Sequence, residues 1–281
     1  MPFLTQRERL LAAYADQGDA YVLSTQPYHS TKSFLWQVVN ADTTNGVAFA
    51  VCRENQVNDF FDYGVGNRIN LSGNANHQAS EAETNLGRGK STNGASDFVI
   101  EGIGMTCRAA KVAYAGGNEG FADYPAAPDA DVQLALLGQA ALCDPAAIVA
   151  PPQVLSPYNL ENALFQALLP FLSLVLKFDR NTIKPLGLCS LLPEAGANSY
   201  LRTNGQPTAE NVFAIDEGYI WRRDGQGDSE FVARVRSEAP VVCPITLITP
   251  PGEETPVAPA YIYTEIQMRV YGIEVEAPSQ N

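Results

Sequence analysis

The chain has 281 residues, 46% of them hydrophobic, 9% aromatic and only 17% charged. Globular chains carry about 25% charged residues, so much of this surface must be uncharged turn, in keeping with 22 glycines and 19 prolines. Eighteen basic and 31 acidic side chains give a net charge of −13, which repels phosphate backbones and excludes sequence-independent binding to nucleic acid.

At the start of the chain, Thr5-Gln6-Arg7-Glu8 is a capping box, a hydroxyl followed three residues later by a glutamate. It predicts a helix over 6–17 that stops at Gly18. Leu10, Leu11 and Tyr14 give that helix a short apolar stripe, with Arg7 and Arg9 beside it. Such an arm docks on its own domain, packs on a neighbouring subunit or lies on a membrane face, the last disfavoured by so short a stripe. No apolar signal-peptide core follows the opening residues, so the expectation is a chain made in the cytoplasm. The five cysteines, Cys52, Cys107, Cys143, Cys189 and Cys243, form no CxxC pair and sit in or beside apolar runs. That pattern predicts free, buried thiols in a reducing compartment.

Short β-type runs come next. Residues 21–23, 34–39 and 47–52 are apolar, and Asn45-Gly46 between the last two marks a hairpin. Residues 60–63 and 69–71 are weaker strand candidates. From Ser72 to Ser96 the chain is polar and Gly-rich, which predicts a long exposed loop without side chains for a core. Strand character returns over 97–107. Residues 116–128 form an acidic Gly/Ala/Pro segment, Asp131 caps a predicted helix through Leu142, and Asn159 caps another through Leu168.

The C-terminal part alternates more clearly. In Leu172-Ser173-Leu174-Val175-Leu176-Lys177-Phe178 the even positions are apolar. Further strand candidates are 183–189, 200–201, 212–213 and 241–248. Residues 219–222 and 230–236 flank Asp224-Gly225-Gln226-Gly227-Asp228, a predicted hairpin. Finally Ile262, Thr264, Ile266, Met268 and Val270 share one face of a long closing strand. At Gly272 the pattern slips by one, so that a bulge there would hand the apolar face to Ile273 and Val275.

About eight strands after Asp97, joined by long and uneven connections, suit a jelly roll better than a meander or propeller. The predicted architecture is mainly β: a jelly-roll sandwich or barrel, single rather than double, with an N-terminal helix and a short helical insertion. The expected divisions are a helical arm over 1–19, a hairpin extension and polar loop over 20–96, and a jelly-roll domain over 97–281 with its helical insertion at 129–169.

Catalytic signatures are thin. The two histidines, His29 and His77, lie in polar sequence that reads as loop, and neither has the neighbours of a metal site. No GxSxG elbow surrounds a serine. Gly87-Arg88-Gly89-Lys90-Ser91-Thr92 resembles the end of a phosphate-binding loop, but Thr84 stands where the motif's first glycine belongs and no apolar strand leads in. Gly102-Ile103-Gly104 lacks the third glycine of a dinucleotide fingerprint. Glu101, Glu265 and Glu274 fall on strands, where glycosidase acids can sit, yet they read as solvent-side residues. No catalytic, cofactor-binding or metal-binding residue is assigned. Trp36 and Trp221 suit either a sugar platform or the core. Tyr219-Ile220-Trp221-Arg222-Arg223 is the one basic patch with interleaved aromatics, and reads as a subunit contact. The interface candidates are therefore Arg7, Arg9, Leu10, Leu11, Tyr14, Trp221, Arg222 and Arg223.

Residues 97–107, residues 171–178 running into Leu186-Gly187-Leu188-Cys189-Ser190-Leu191-Leu192-Pro193, and residues 261–275 carry a resemblance. With few lysines and turns rich in Asn, Gly and Pro, the chain resembles the jelly-roll major capsid proteins of tailless icosahedral bacteriophages with an internal membrane. The resemblance implies upright barrels in trimers or pseudo-hexamers, with the N-terminal helix facing the membrane or a neighbouring capsomer. It implies a coat protein of the virion that self-assembles into an icosahedral shell around a membrane-enclosed genome. Its partners would be copies of itself, other capsid proteins and the inner membrane, with no contact to nucleic acid and no enzymatic activity. The alternative from another class is a carbohydrate- or receptor-binding β-sandwich, spike or lectin-like, whose loops at 72–96 and 116–128 would carry the sugar contacts.

Overall fold

The computed structural model describes residues 21–23, 27–42, 47–92, 96–113, 122–123, 133–136, 164–178, 182–188, 213–222, 230–248 and 261–276. The predicted N-terminal helix, Tyr200-Leu201, Arg223, Cys143 and Cys189 lie outside them. The protein is mainly β, built of curled antiparallel sheets, with one short helix among the described residues. The first strands are β1 (Tyr21–Leu23), β2 (Tyr28–Asp42), β3 (Val47–Cys52), β4 (Val57–Phe60), β5 (Arg68–Leu71), β6 (Asn74–Gln78) and β7 (Ser96–Ala113). Two short strands follow, β8 (Ala122–Asp123) and β9 (Gln133–Leu136). The remainder are β10 (Leu172–Phe178), β11 (Thr182–Leu188), β12 (Phe213–Trp221), β13 (Phe231–Ser237), β14 (Val241–Ile248) and β15 (Tyr261–Glu276).

The strands form a large sheet in the order β12-β7-β15-β2-β3-β14-β9, with β1 on β15 and β8 on β7, a four-stranded sheet in the order β11-β10-β13-β4, and a separate antiparallel pair β5-β6. The pairing is nested: β2 with β15, β3 with β14, β4 with β13, β7 with β12, and β10 with β11. The chain thus runs out and back as one antiparallel ribbon, and the ribbon is wrapped so that β15 also meets β7 and β13 also meets β10.

Period-2 patterning explains the layers. Leu172, Leu174, Leu176 and Phe178 are buried while the residues between them are half-buried, and Ile262, Ile266, Met268 and Val270 are fully buried on β15. Both sets belong to one apolar cluster, so the two sheets pack face to face over a shared core. Trp221 of the large sheet and Phe231 of the small sheet meet at 5.0 Å between ring centres, and Phe178 packs on Phe231 at 5.1 Å. Cys52, Cys107 and Cys243 are buried, as their apolar settings predict.

Four expectations are corrected. Residues 72–96 are not a bare exposed loop: they contain β6, and Thr84 and Leu86 are fully buried. Within the helix predicted over 131–142, residues Gln133–Leu136 form a strand instead, because they pair with the open edge of β14 and tertiary contact overrides a weak helical preference. The second predicted helix is present at 164–168 and runs into a 3-10 turn at Leu169–Phe171, where Pro170 prevents its continuation. Strands β12 and β13 do not form a hairpin. One belongs to each sheet.

The fourth correction concerns Gly272. The register does shift between Tyr271 and Gly272, but Gly102 faces Tyr271 and Ile100 faces Gly272, so the extra residue is Glu101 on β7. Ile273 and Val275 consequently stand opposite Val99 and Asp97, while Glu274 stands opposite Phe98. Glycine is needed at 272 because a β-carbon there would lie 1.7 Å from the Val99 carbonyl oxygen.

Candidate functional site

Between Tyr28 and Leu35, β2 has β15 on one side, while β3 pairs only with its residues from Trp36 onward. Its other edge would leave backbone groups unpaired. Side chains of the 56–85 segment fill that place. Gln56 accepts from the Leu35 amide at 2.9 Å and donates to its carbonyl at 2.7 Å, and Asn58 donates to the Ser33 carbonyl at 3.1 Å. The Tyr63 hydroxyl accepts from the Thr31 amide at 3.0 Å and donates to its carbonyl at 2.6 Å. Asn85 accepts from the His29 amide at 2.9 Å and donates to the Pro27 carbonyl at 3.0 Å. Alternate residues of β2 are thus satisfied by a ladder of side chains in place of a strand. The polar composition that reads as loop is what the edge requires.

The same segment takes part in a network of charges on the large sheet whose two carboxylates, Glu83 and Glu265, are buried. Arg108 is the extra residue of a second bulge on β7, since Glu265 faces Ala109 and Ile266 faces Cys107. A bulge re-aims its side chain, and Arg108 reaches Glu83 at 2.7 Å and Glu265 at 3.8 Å. Glu265, with a side chain only 1% exposed, also accepts from Ser72 at 2.7 Å and pairs with Lys111 at 3.4 Å. The solvent-side reading of Glu265 is therefore corrected: it is buried and neutralised. Burial pushes the Glu83 carboxyl up, but the Ser80 hydroxyl and amide together with Arg108 outweigh it and hold it down at about 2. A carboxylate held so firmly ionised serves as an ion-pair partner and not as a proton donor at neutral pH.

The phosphate-loop look-alike is part of this cover. A β-carbon on Gly89 would lie 2.4 Å from the Asp62 carbonyl oxygen, and one on Gly64 would lie 2.8 Å from that of Gly87. The two backbones therefore cross in contact, and glycine is what allows it. Phe61 and Lys90 both have left-handed φ, and the Lys90 amide donates to the Phe61 carbonyl at 2.6 Å. The Lys90 carbonyl in turn accepts from the Trp221 indole at 3.0 Å and the Phe231 amide at 2.9 Å.

Beside this cover lies an open, polar groove of about 920 Å³. His29 and Arg269 face each other across the β2–β15 pair, and Gln267 follows Arg269 on the same face. Glu274 enters from the strand end, with the Tyr28 hydroxyl donating to it at 2.5 Å, while Glu81 and Asn85 line the opposite wall. Arg269 donates through two nitrogens to the Gln267 carbonyl oxygen, at 3.0 and 2.8 Å. The His29 Nε2 stands 3.0 Å from the Glu81 carbonyl oxygen, to which only a protonated nitrogen can bond. Burial lowers the His29 pKa and the Glu81 carbonyl raises it, with Arg269 and Arg108 adding to the lowering; the net direction is down. At neutral pH the ring is therefore neutral, with Nδ1 an acceptor.

The interface candidates fare unevenly. Trp221 is fully buried among Tyr28, Phe98 and Phe231, so it is neither an exposed contact nor a sugar platform, and Trp36 is likewise buried with its indole donating to Thr264 at 2.9 Å. Arg222 is partly exposed and pairs with the buried Asp97 at 3.5 Å. Arg7, Arg9, Leu10, Leu11 and Tyr14 lie outside the described residues. His29 and His77 are on β2 and β6 rather than in loops.

Sequence reasoning missed the groove because its walls are residues far apart in the chain. The available signal was the alternation on β15, which puts Gln267 and Arg269 on the face opposite Met268 and Val270. No helix among the described residues is long and apolar enough to cross a membrane, and no group of metal-ligating side chains occurs among them. Compared with known proteins, the chain matches no family model, no curated protein and no solved structure.

Proposed function

We propose that the chain is a jelly-roll coat protein, a structural subunit that self-associates into a closed shell. The observation that carries this reading is the nested strand pairing. Eight strands, β2, β4, β7, β10, β11, β12, β13 and β15, pair first with last and inward to the tip, and occupy the sheet orders β12-β7-β15-β2 and β11-β10-β13-β4. That is the order expected when one antiparallel ribbon is wrapped into two facing sheets, the arrangement of jelly rolls in capsid proteins and lectins. Strands β3 and β14 extend the ribbon at one edge. A single barrel is part of the same proposal, with β1, β5, β6, β8 and β9 lying outside the eight-strand set.

Assembly into trimers or pseudo-hexamers, with other capsid proteins and an inner membrane as neighbours, belongs to the same proposal. Physical support comes from the charge. An acidic subunit need not neutralise DNA if a lipid layer separates shell from genome, so cohesion would rest on apolar burial and shape. No step of catalysis enters.

Light scattering of the purified protein in reducing buffer, over a concentration series and followed by electron microscopy, tests the reading. Trimers or larger closed particles are expected. A protein that stays monomeric at the highest concentration, with no shell-like particles, would overturn it.

A further inference from the structure

We propose that the groove between β2, β15 and the 81–87 segment is a binding site for a neutral saccharide. The walls are fixed from behind. Asn85 spends its amide on the backbone of Pro27 and His29, and Gln267 spends its carbonyl oxygen on Arg269 and its amide on Ala82. What remains turned to the groove is a set of uncommitted groups. Arg269 has no carboxylate partner among the described residues, and only the neutral Gln267 accepts from it. Glu81 is exposed and, among the described residues, uses only its backbone carbonyl, on His29. One oxygen of Glu274 holds Tyr28, and the His29 Nδ1 lone pair meets no donor among the described residues.

The balance of these groups selects the ligand chemistry. An anion would meet the Glu81 and Glu274 carboxylates, and a cation would meet the guanidinium of Arg269. A neutral polyol meets neither penalty, because each hydroxyl can donate to a carboxylate or imidazole and accept from a guanidinium. Three acceptors against one strong donor suit a ligand rich in O–H groups. Val65, 39% exposed at the groove, offers an apolar surface for the C–H face of a sugar ring. The volume is in the range of small-ligand sites, about 300–1,000 Å³. This inference stands apart from the assembly reading: either can fail alone.

The test is calorimetric titration of the full chain with neutral trisaccharides of glucose, galactose, mannose and N-acetylglucosamine, with a glucuronic-acid oligomer as the charged comparison. At least one neutral trisaccharide is expected to bind, and Arg269→Ala and Glu274→Gln should each weaken it by about tenfold or more, since each removes a hydrogen bond to a charged group. Glu81→Ala, at an exposed loop position, should weaken binding without loss of fold, and keeps the test valid should a strand variant misfold. Absence of binding by every neutral sugar, binding of the acidic oligomer alone, or binding that survives in all folded variants would overturn the proposal.

Discussion

Trp221 shows how a residue's neighbours decide its role. In sequence it heads a basic-aromatic run, but in the fold its ring is closed in by Tyr28, Phe98, Phe61 and Phe231, and its indole N–H is spent on the Lys90 carbonyl. Trp221→Ala should therefore cost about 3–5 kcal/mol of stability, the range for large-to-small changes in a packed core. Urea denaturation checks it, and a loss under 1 kcal/mol would return the residue to the surface. Glu83 makes a second prediction at this scale. Its carboxyl is held at about 2, below its ordinary value of 4.5, so the folded state binds its proton more weakly than the unfolded state does. The stabilisation is complete above about pH 4.5 and is lost as pH falls toward 2. The stability gap between the native protein and Glu83→Gln should accordingly narrow across that window. A gap that is constant from pH 6 to pH 2.5 would contradict the Arg108–Glu83 pairing.

Among elements, the side-chain ladder along β2 is the feature least expected from the sequence. Gln56→Leu keeps the bulk but leaves the Leu35 amide and carbonyl unpaired, so a loss of about 1–3 kcal/mol is expected, with faster amide exchange at Leu35 read by NMR. Strand β15 supplies the other element-scale prediction. Gly272→Ala puts a β-carbon against the Val99 carbonyl, and backbone there must move or the β7–β15 pairing must open. The expected loss is at least about 2 kcal/mol, in the range of other steric insults to a packed site, measured by thermal and urea unfolding together. A stable Gly272→Ala protein would show that the close approach is absent. The long alternating runs on β10 and β15 were legible from residue order alone. The bulges were only half legible: the glycine marked the place, while the extra residues, Glu101 and Arg108, are on the partner strand.

At the scale of the whole molecule, a net charge of −13 sets the long-range force between copies. Like-charged subunits repel over about a Debye length, which shrinks from roughly 30 Å at 0.01 M salt to 8 Å at 0.15 M. If assembly rests on apolar burial, raising salt through that range should increase the mean particle mass in light scattering. A fall in mass with salt would point to contacts carried by ion pairs instead. The network of Arg108, Lys111, Glu83 and Glu265 pairs two cations with two buried carboxylates and so contributes little to that outer field.

The sequence by itself determined the class of structure. Period-2 alternation in 172–178 and 262–270 decides which residues turn inward, because a strand's side chains alternate whatever it pairs with. Apolar settings likewise decided that Cys52, Cys107 and Cys243 are buried. Tertiary structure alone decided pairing and use: that β12 and β13 part to opposite sheets, that 133–136 is a strand, and that the polar 56–85 side chains complete a sheet edge. It also brought His29, Glu81, Arg269 and Glu274 around one groove. The physical reason is that hydrogen-bond partners in a wrapped antiparallel ribbon are separated by up to the full chain length, and local propensity carries no information about which distant edge a segment will meet.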